Sequence, residues 1–158
     1  MSRNYSLLVS LALLLSMAAI SSAATTVTWD NQAGDGNWNT GLNWDTNTIP
    51  PNNSSWYAKI GMAAGPTISA GQTAAAYRVY VEGASGNNGT LIMDGGTLNL
   101  SGHWVGIGYT AANSGTLTVN SGTINTTGGS GHIYCGGSGT ATFNMSGGAI
   151  NLSGTFYV

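Results

Sequence analysis

The sequence predicts an all-β protein: a parallel β-solenoid, or β-helix, with three short strands per coil. Three observations point there. Related blocks begin at Gly89, Gly115 and Ala141, a constant step of 26 residues (115 − 89 and 141 − 115). Within each block apolar residues alternate, as Leu91/Met93, Leu117/Val119 and Phe143/Met145, which puts them on one face of a strand. Only 8 of 158 side chains carry a formal charge, 3 Lys+Arg and 5 Asp+Glu, against 25 Gly. Stacked coils set like residues over like at about 4.8 Å, so charges would repel along the stack while Gly, Asn and Thr are tolerated. A β-sandwich of short antiparallel strands is the alternative, but it needs no constant period.

The first segment, 1–24, reads as a cleaved secretory signal peptide. One cation, Arg3, precedes an apolar run from Leu7 to Ile20, and small residues follow at Ser21, Ser22, Ala23 and Ala24. The run is short for a membrane span. Cleavage after Ala23 or Ala24 starts the mature chain near Thr25 and places it outside the cell or on its surface.

Residues 25–64 do not repeat, and they hold Trp29, Trp38, Trp44 and Trp56. A solenoid must close its open sheet ends, so this segment is expected to form a Trp-rich N-terminal cap. The alternative use of such rings is a glycan-stacking platform, with Trp29, Trp38 and Trp44 as its candidates. Asp30, Asp35 and Asp45 suggest calcium, but an EF-type loop from Asp35 would need Gly and Glu where Thr40 and Thr46 stand.

Residues 65–158 carry the coils, near 65–88, 89–114, 115–140 and 141–158. Their second strands offer Leu98/Leu100, Ile124/Thr126 and Ile150/Leu152; their third offer Val79/Val81, Val105/Ile107 and Ile133/Cys135. The last pair is displaced by two residues, and the following loop shortens to restore the step. Gly96, Gly122 and Gly148 keep the step at a corner, where positive φ is often needed. Asn99, Asn125 and Asn151 are expected to form a hydrogen-bonded ladder, as are Thr90, Thr116 and Thr142. The chain ends at Val158 inside the fourth coil, so a C-terminally truncated chain is expected, with Phe143, Met145, Ile150 and Leu152 exposed and end-to-end self-association as the consequence.

Composition also bears on function. Three basic residues cannot neutralise a nucleic-acid backbone or bind a membrane surface through a polybasic patch. Polysaccharide cleavage needs two placed carboxylates, and the coils offer only Glu82 and Asp94, so no catalytic residue is assigned. His103 and His132 make an incomplete metal set, and no metal or cofactor is expected. Cys135 is alone, without a disulfide partner or a nearby cation in sequence. Gly106–Gly108 and Gly128–Gly131 lack the context of phosphate loops. An outward Thr pair of the kind a flat lattice requires occurs only at Thr116 and Thr118.

The Trp-Asp…Gly-Asn-Trp…Asn-Trp-Asp segment, the Gly-Thr-Leu blocks and Ile68–Thr73 leading into Val79–Val81 together resemble secreted bacterial autotransporter-like β-strand-repeat proteins. Members of that group often carry a PEP-CTERM sorting signal, which this chain departs from in lacking a terminal Pro-Glu-Pro motif. The resemblance implies an exported, non-enzymatic solenoid with a structural or adhesive role, and it carries over no catalytic residue. The expected partners are extracellular polysaccharide or other surface proteins. The alternative is a fragment of a polysaccharide-binding or polysaccharide-degrading β-helix protein.

Overall fold

The computed structural model describes residues 24–53, 56–84 and 86–158. The expected signal peptide falls almost wholly outside them. Among the described residues twelve strands run in the order β1 (Thr25–Thr28), β2 (Trp56–Ile60), β3 (Thr67–Ser69), β4 (Thr73–Ala76), β5 (Arg78–Val81), β6 (Asn88–Leu100), β7 (Val105–Ile107), β8 (Ser114–Thr126), β9 (Ile133–Cys135), β10 (Thr140–Met145), β11 (Ala149–Asn151) and β12 (Phe156–Tyr157). All ladders between them are parallel, and the chain is a β-solenoid.

Three walls enclose the core. The first is the sheet β1-β2-β5-β7-β9-β12. The second and third come from one bent sheet, because β6 and β8 each run through a corner. Their leading halves stack with β3 and β10; their trailing halves stack with β4 and β11. The register slips at that corner: Met93 pairs with Val119, Asp94 with Ser121 and Thr97 with Thr123.

A left-handed residue makes the turn in each of the last three coils, and it is Gly95 (φ 97°), Gly122 (φ 89°) and Gly148 (φ 81°). The 26-residue step aligns Gly122 with Gly96. The fold instead uses Gly95 in the earlier coil, since the Gly-Gly pair offers the conformation one residue sooner and the register slip absorbs the difference.

The inward rows are apolar except at Thr126. Leu91, Met93, Leu98, Leu117, Val119, Ile124, Val79, Val81, Val105, Ile107 and Ile133 are wholly buried, and Thr126 is almost so. The 26-residue step appears as pairing of Asn88 with Ser114 and of Ser114 with Thr140. On the first wall Val79 pairs with Val105, 26 on, and Val105 with Ile133, 28 on. The two extra residues lie in the loop before β9, and the loop after it is two shorter than its predecessor. In the last coil Phe143, Ile150 and Leu152 are half-buried and Met145 is 46% exposed.

The segment 25–64 both joins the solenoid and covers it. β1 and β2 continue the first wall, pairing Thr25 with Trp56 and Ala58 with Val79. Between them the chain crosses the free edge of β3, where Asn37 pairs with Thr67 and Thr67 N–H donates to Gly36 O at 2.9 Å. Asn39 and Gln72 tie the same loop down through Thr73 O and Asn37 Oδ1. Asp35 organises its turn by accepting from Asn37 N–H, Thr40 Oγ1 and Asn43 Nδ2. Those donors, led by the Asn37 amide, hold its carboxyl below the ordinary 3.8.

Candidate functional site

Strand alternation sends every second residue of the first wall outward. On β2 those residues are Tyr57 and Lys59, on β5 Arg78 and Tyr80, on β9 Tyr134 and on β12 Tyr157. On β7 the outward position is Gly106, between Tyr80 and Tyr134. Trp104 fills the gap: a Cβ on Gly106 would lie 2.6 Å from Trp104 Cζ3. A glycine is therefore required beneath the indole.

The result is a continuous aromatic strip along the solenoid axis. Ring centroids are 6.2 Å apart from Tyr57 to Tyr80, 5.0 Å from Tyr80 to Trp104, 5.3 Å from Trp104 to Tyr134 and 4.7 Å from Tyr134 to Tyr157. Most neighbours meet edge to face, while Tyr134 and Tyr157 stack at 6°. Both geometries suit the ring quadrupole. Tyr109 packs on Trp104 at 4.5 Å. Tyr77 meets His103, and His132 meets both Tyr134 and Tyr157. The rings of β2 to β9 are half-buried; Tyr157 is 44% exposed.

Arg78 is built into this strip. Its guanidinium carbon lies 4.5 Å from the ring centroids of both Tyr57 and Trp104. Nη1 donates to Tyr80 Oη at 3.1 Å. Stacking between two rings fixes the fork; its Nε is buried without a partner, and Nη2 is left for another acceptor. The ion pair among the described residues lies elsewhere on the wall: Lys59 Nζ is 4.0 Å from Glu82, so Arg78 has no carboxylate. A shallow recess of about 130 Å³ lies between Tyr134 and Tyr157, over Cys135 to Gly137.

The residues singled out from sequence fall in different places. Trp29, Trp38 and Trp44 are at most 2% exposed, and they pack edge to face at 5.2 and 4.9 Å. Their rings have no open face, which corrects the glycan-stacking assignment; burial of three large apolar rings closes the coil instead. Trp29 Nε1 donates to Ala64 O and Trp44 Nε1 to Trp38 O, both at 2.9 Å. Asn99, Asn125 and Asn151 stand in one file. Asn125 donates to Asn99 Oδ1 at 3.0 Å, and Asn151 to Asn125 Oδ1 at 2.8 Å. Thr90, Thr116 and Thr142 are also in register, but Thr116 Oγ1 accepts from Asn88.

The two coil carboxylates do not converge. Glu82 is 3% exposed and accepts from Thr110 N–H and Oγ1, each at 2.9 Å. Asp94 is exposed at the corner of β6. Both histidines border the aromatic strip. His132 Nδ1 accepts from Thr155 N–H at 2.8 Å. Burial, then the charges of Arg78 and His132, push the His103 pKa below 6.5. Burial raises the thiol of Cys135 and, with Tyr157 and Tyr109 beside it, the phenol of Tyr134.

The sequence reading did not find the strip. A signal was present, because Tyr80 sits between Val79 and Val81 and Tyr134 between Ile133 and Cys135. Gly106 broke the series, and Trp104 enters it from outside its strand. No family model, curated protein or solved structure matches this chain.

Proposed function

We propose that this chain is an exported, non-enzymatic β-solenoid with a structural and adhesive role at the cell surface or outside the cell, and that its aromatic wall is the adhesive face. The aromatic strip carries the reading. Half-exposed rings with free hydroxyls, held at fixed spacing by a stacked sheet, suit a long repetitive polymer better than a small molecule. Extracellular polysaccharide is the natural partner in that setting. The low charge and the leader-like residues 1–24 support export. The engagement of Glu82 by Thr110 supports a structural use of that carboxylate over acid catalysis.

Expression of the full chain in a bacterium, followed by fractionation, N-terminal sequencing and pull-down on insoluble polysaccharides, tests this reading. The expected product lies outside the cytoplasm, begins near Thr25 and is retained by at least one polysaccharide, without releasing sugar. Uncleaved cytoplasmic protein, or no retention on any glycan, would reject it. Turnover abolished by Glu82→Gln would favour a degrading enzyme instead.

A further inference from the structure

We infer that the strip takes an acidic, carboxylate-bearing polysaccharide, with Arg78 as its anion contact. This rests on the adhesive reading above and adds the class of ligand.

Charge is segregated on this protein. Three of its five acids, Asp30, Asp35 and Asp45, lie in the segment before β2, and Asp94 is at the corner between the other two walls. The fifth, Glu82, follows β5 on the first wall, is 3% exposed and is occupied by Thr110 and Lys59. The first wall therefore presents Arg78 without a carboxylate, on a chain whose net charge is -2. An unpaired guanidinium held in place by two rings matches a planar carboxylate.

The rings argue for sugar over the other anionic polymer class. Bases of a single-stranded nucleic acid need open ring faces to stack on. Here the faces between neighbours are engaged: one of Tyr57 and one of Trp104 by the guanidinium, Trp104 again by Tyr109, and one each of Tyr134 and Tyr157 by one another. Ring edges and phenol hydroxyls remain. Among the described residues the hydroxyls of Tyr57, Tyr109, Tyr134 and Tyr157 have no hydrogen-bond partner and are not buried. Hydroxyl donors in a file along an axis fit a polymer of hydroxyls and carboxylates.

The test is affinity electrophoresis of the mature chain in gels containing polygalacturonate, alginate, a neutral xylan or a neutral glucan, at low and high salt, with single-stranded DNA as competitor. The proposal expects retardation by the uronate polymers, weakened by salt and not reversed by DNA. Arg78→Gln should bind them about tenfold more weakly, the loss of one charge-assisted contact. Arg78→Lys, which keeps charge but loses the fork, should fall between. Melts of both variants establish folding. If Arg78→Gln does not fold, the wild-type preference for acidic over neutral glycans and its salt dependence decide. Equal binding of neutral glycans, an unaffected folded Arg78→Gln, or preference for DNA overturns this inference. Neutral binding alone leaves the adhesive reading standing, whereas retardation by no glycan removes both.

Discussion

Substituting Leu117 tests the register of the whole solenoid. Leu117 is wholly buried in the leading half of β8, stacked between Leu91 and Phe143. Truncating a core leucine to alanine costs about 2–5 kcal/mol, depending on how far the site collapses. Phe143 is half-buried and able to settle toward the gap, so Leu117→Ala should cost about 3 kcal/mol by the same range. Leu117→Asp adds an unpaired buried carboxylate, worth several kcal/mol more. Against a total stability of about 5–15 kcal/mol, that unfolds the central coils. Thr118 faces outward between Ile92 and Asn144. Thr118→Asp should cost about 1 kcal/mol or less, mostly lost strand preference. Urea melts followed by far-ultraviolet circular dichroism separate the cases. Equal destabilisation by Leu117→Asp and Thr118→Asp, or an Ala variant as stable as the parent, would refute the inward assignment and the period behind it.

Other expectations follow from single contacts. Gly122→Ala must hold alanine at φ 89° against the Gly96 backbone, so a loss of about 1–3 kcal/mol or more is expected in urea; Gly129→Ala, which meets nothing within 4 Å, should be neutral. Asn125→Ala breaks both ladder bonds and should cost about 1–2 kcal/mol at this half-exposed site. The lowered His103 pKa means that the unfolded chain takes up its proton first, so stability should be level above pH 6.5 and decline as pH falls through that value; urea midpoints across pH should lose this slope in His103→Gln. The lowered Asp35 pKa acts further down: its stabilisation is present above 3.8 and fades as pH falls below it, and acid melts of Asp35→Asn should lack that step.

The parts of the fold legible in the sequence were those repeated by stacking. Leu91, Leu117 and Phe143 occupy one row because the coil length is constant there, so spacing alone located it. Earlier coils were hidden by drift and by small residues. Ala58 pairs with Val79 at a distance of 21, and Ala74 with Leu98 at 24. Alanine fills the inward positions of β4 without an apolar signature, so only the ladder reveals it. The site was less legible for a geometric reason. Two of its rings come from outside the repeating position: Trp104 precedes its strand and Tyr109 follows it, yet both arrive over Gly106. Tryptophan count pointed instead to Trp29, Trp38 and Trp44, which the loop across β3 buries.

The strip also acts as a second cohesive layer, and this separates two roles that Trp104 holds at once. The interior is narrow: each wall of a coil supplies about two inward side chains, as Leu91/Met93, Leu98/Leu100 and Val105/Ile107 do. Outside it, Trp104 joins neighbouring coils through Tyr80 and Tyr134, and holds Tyr109 and Arg78. Aromatic pairs add about 0.5–1.5 kcal/mol each beyond area, and a cation over an indole adds about 0.5–1 at exposed sites. Trp104→Ala should therefore cost about 2–4 kcal/mol, after allowing for non-additivity among touching groups, and should also release Arg78 from its sandwich. Trp104→Phe keeps a ring over Gly106 and should recover more than half of that loss. Arg78→Lys leaves the ring-to-ring contacts in place and gives up the stacked fork and its bond to Tyr80 Oη, so the melt should fall by about 1 kcal/mol or less while uronate binding weakens. Plotting binding against unfolding midpoint for the three variants tests the separation. If Trp104→Ala melts with the parent, the strip gives the coils no cohesion; if Arg78→Lys loses stability in proportion to binding, the guanidinium is a structural strut and the anion contact lies elsewhere.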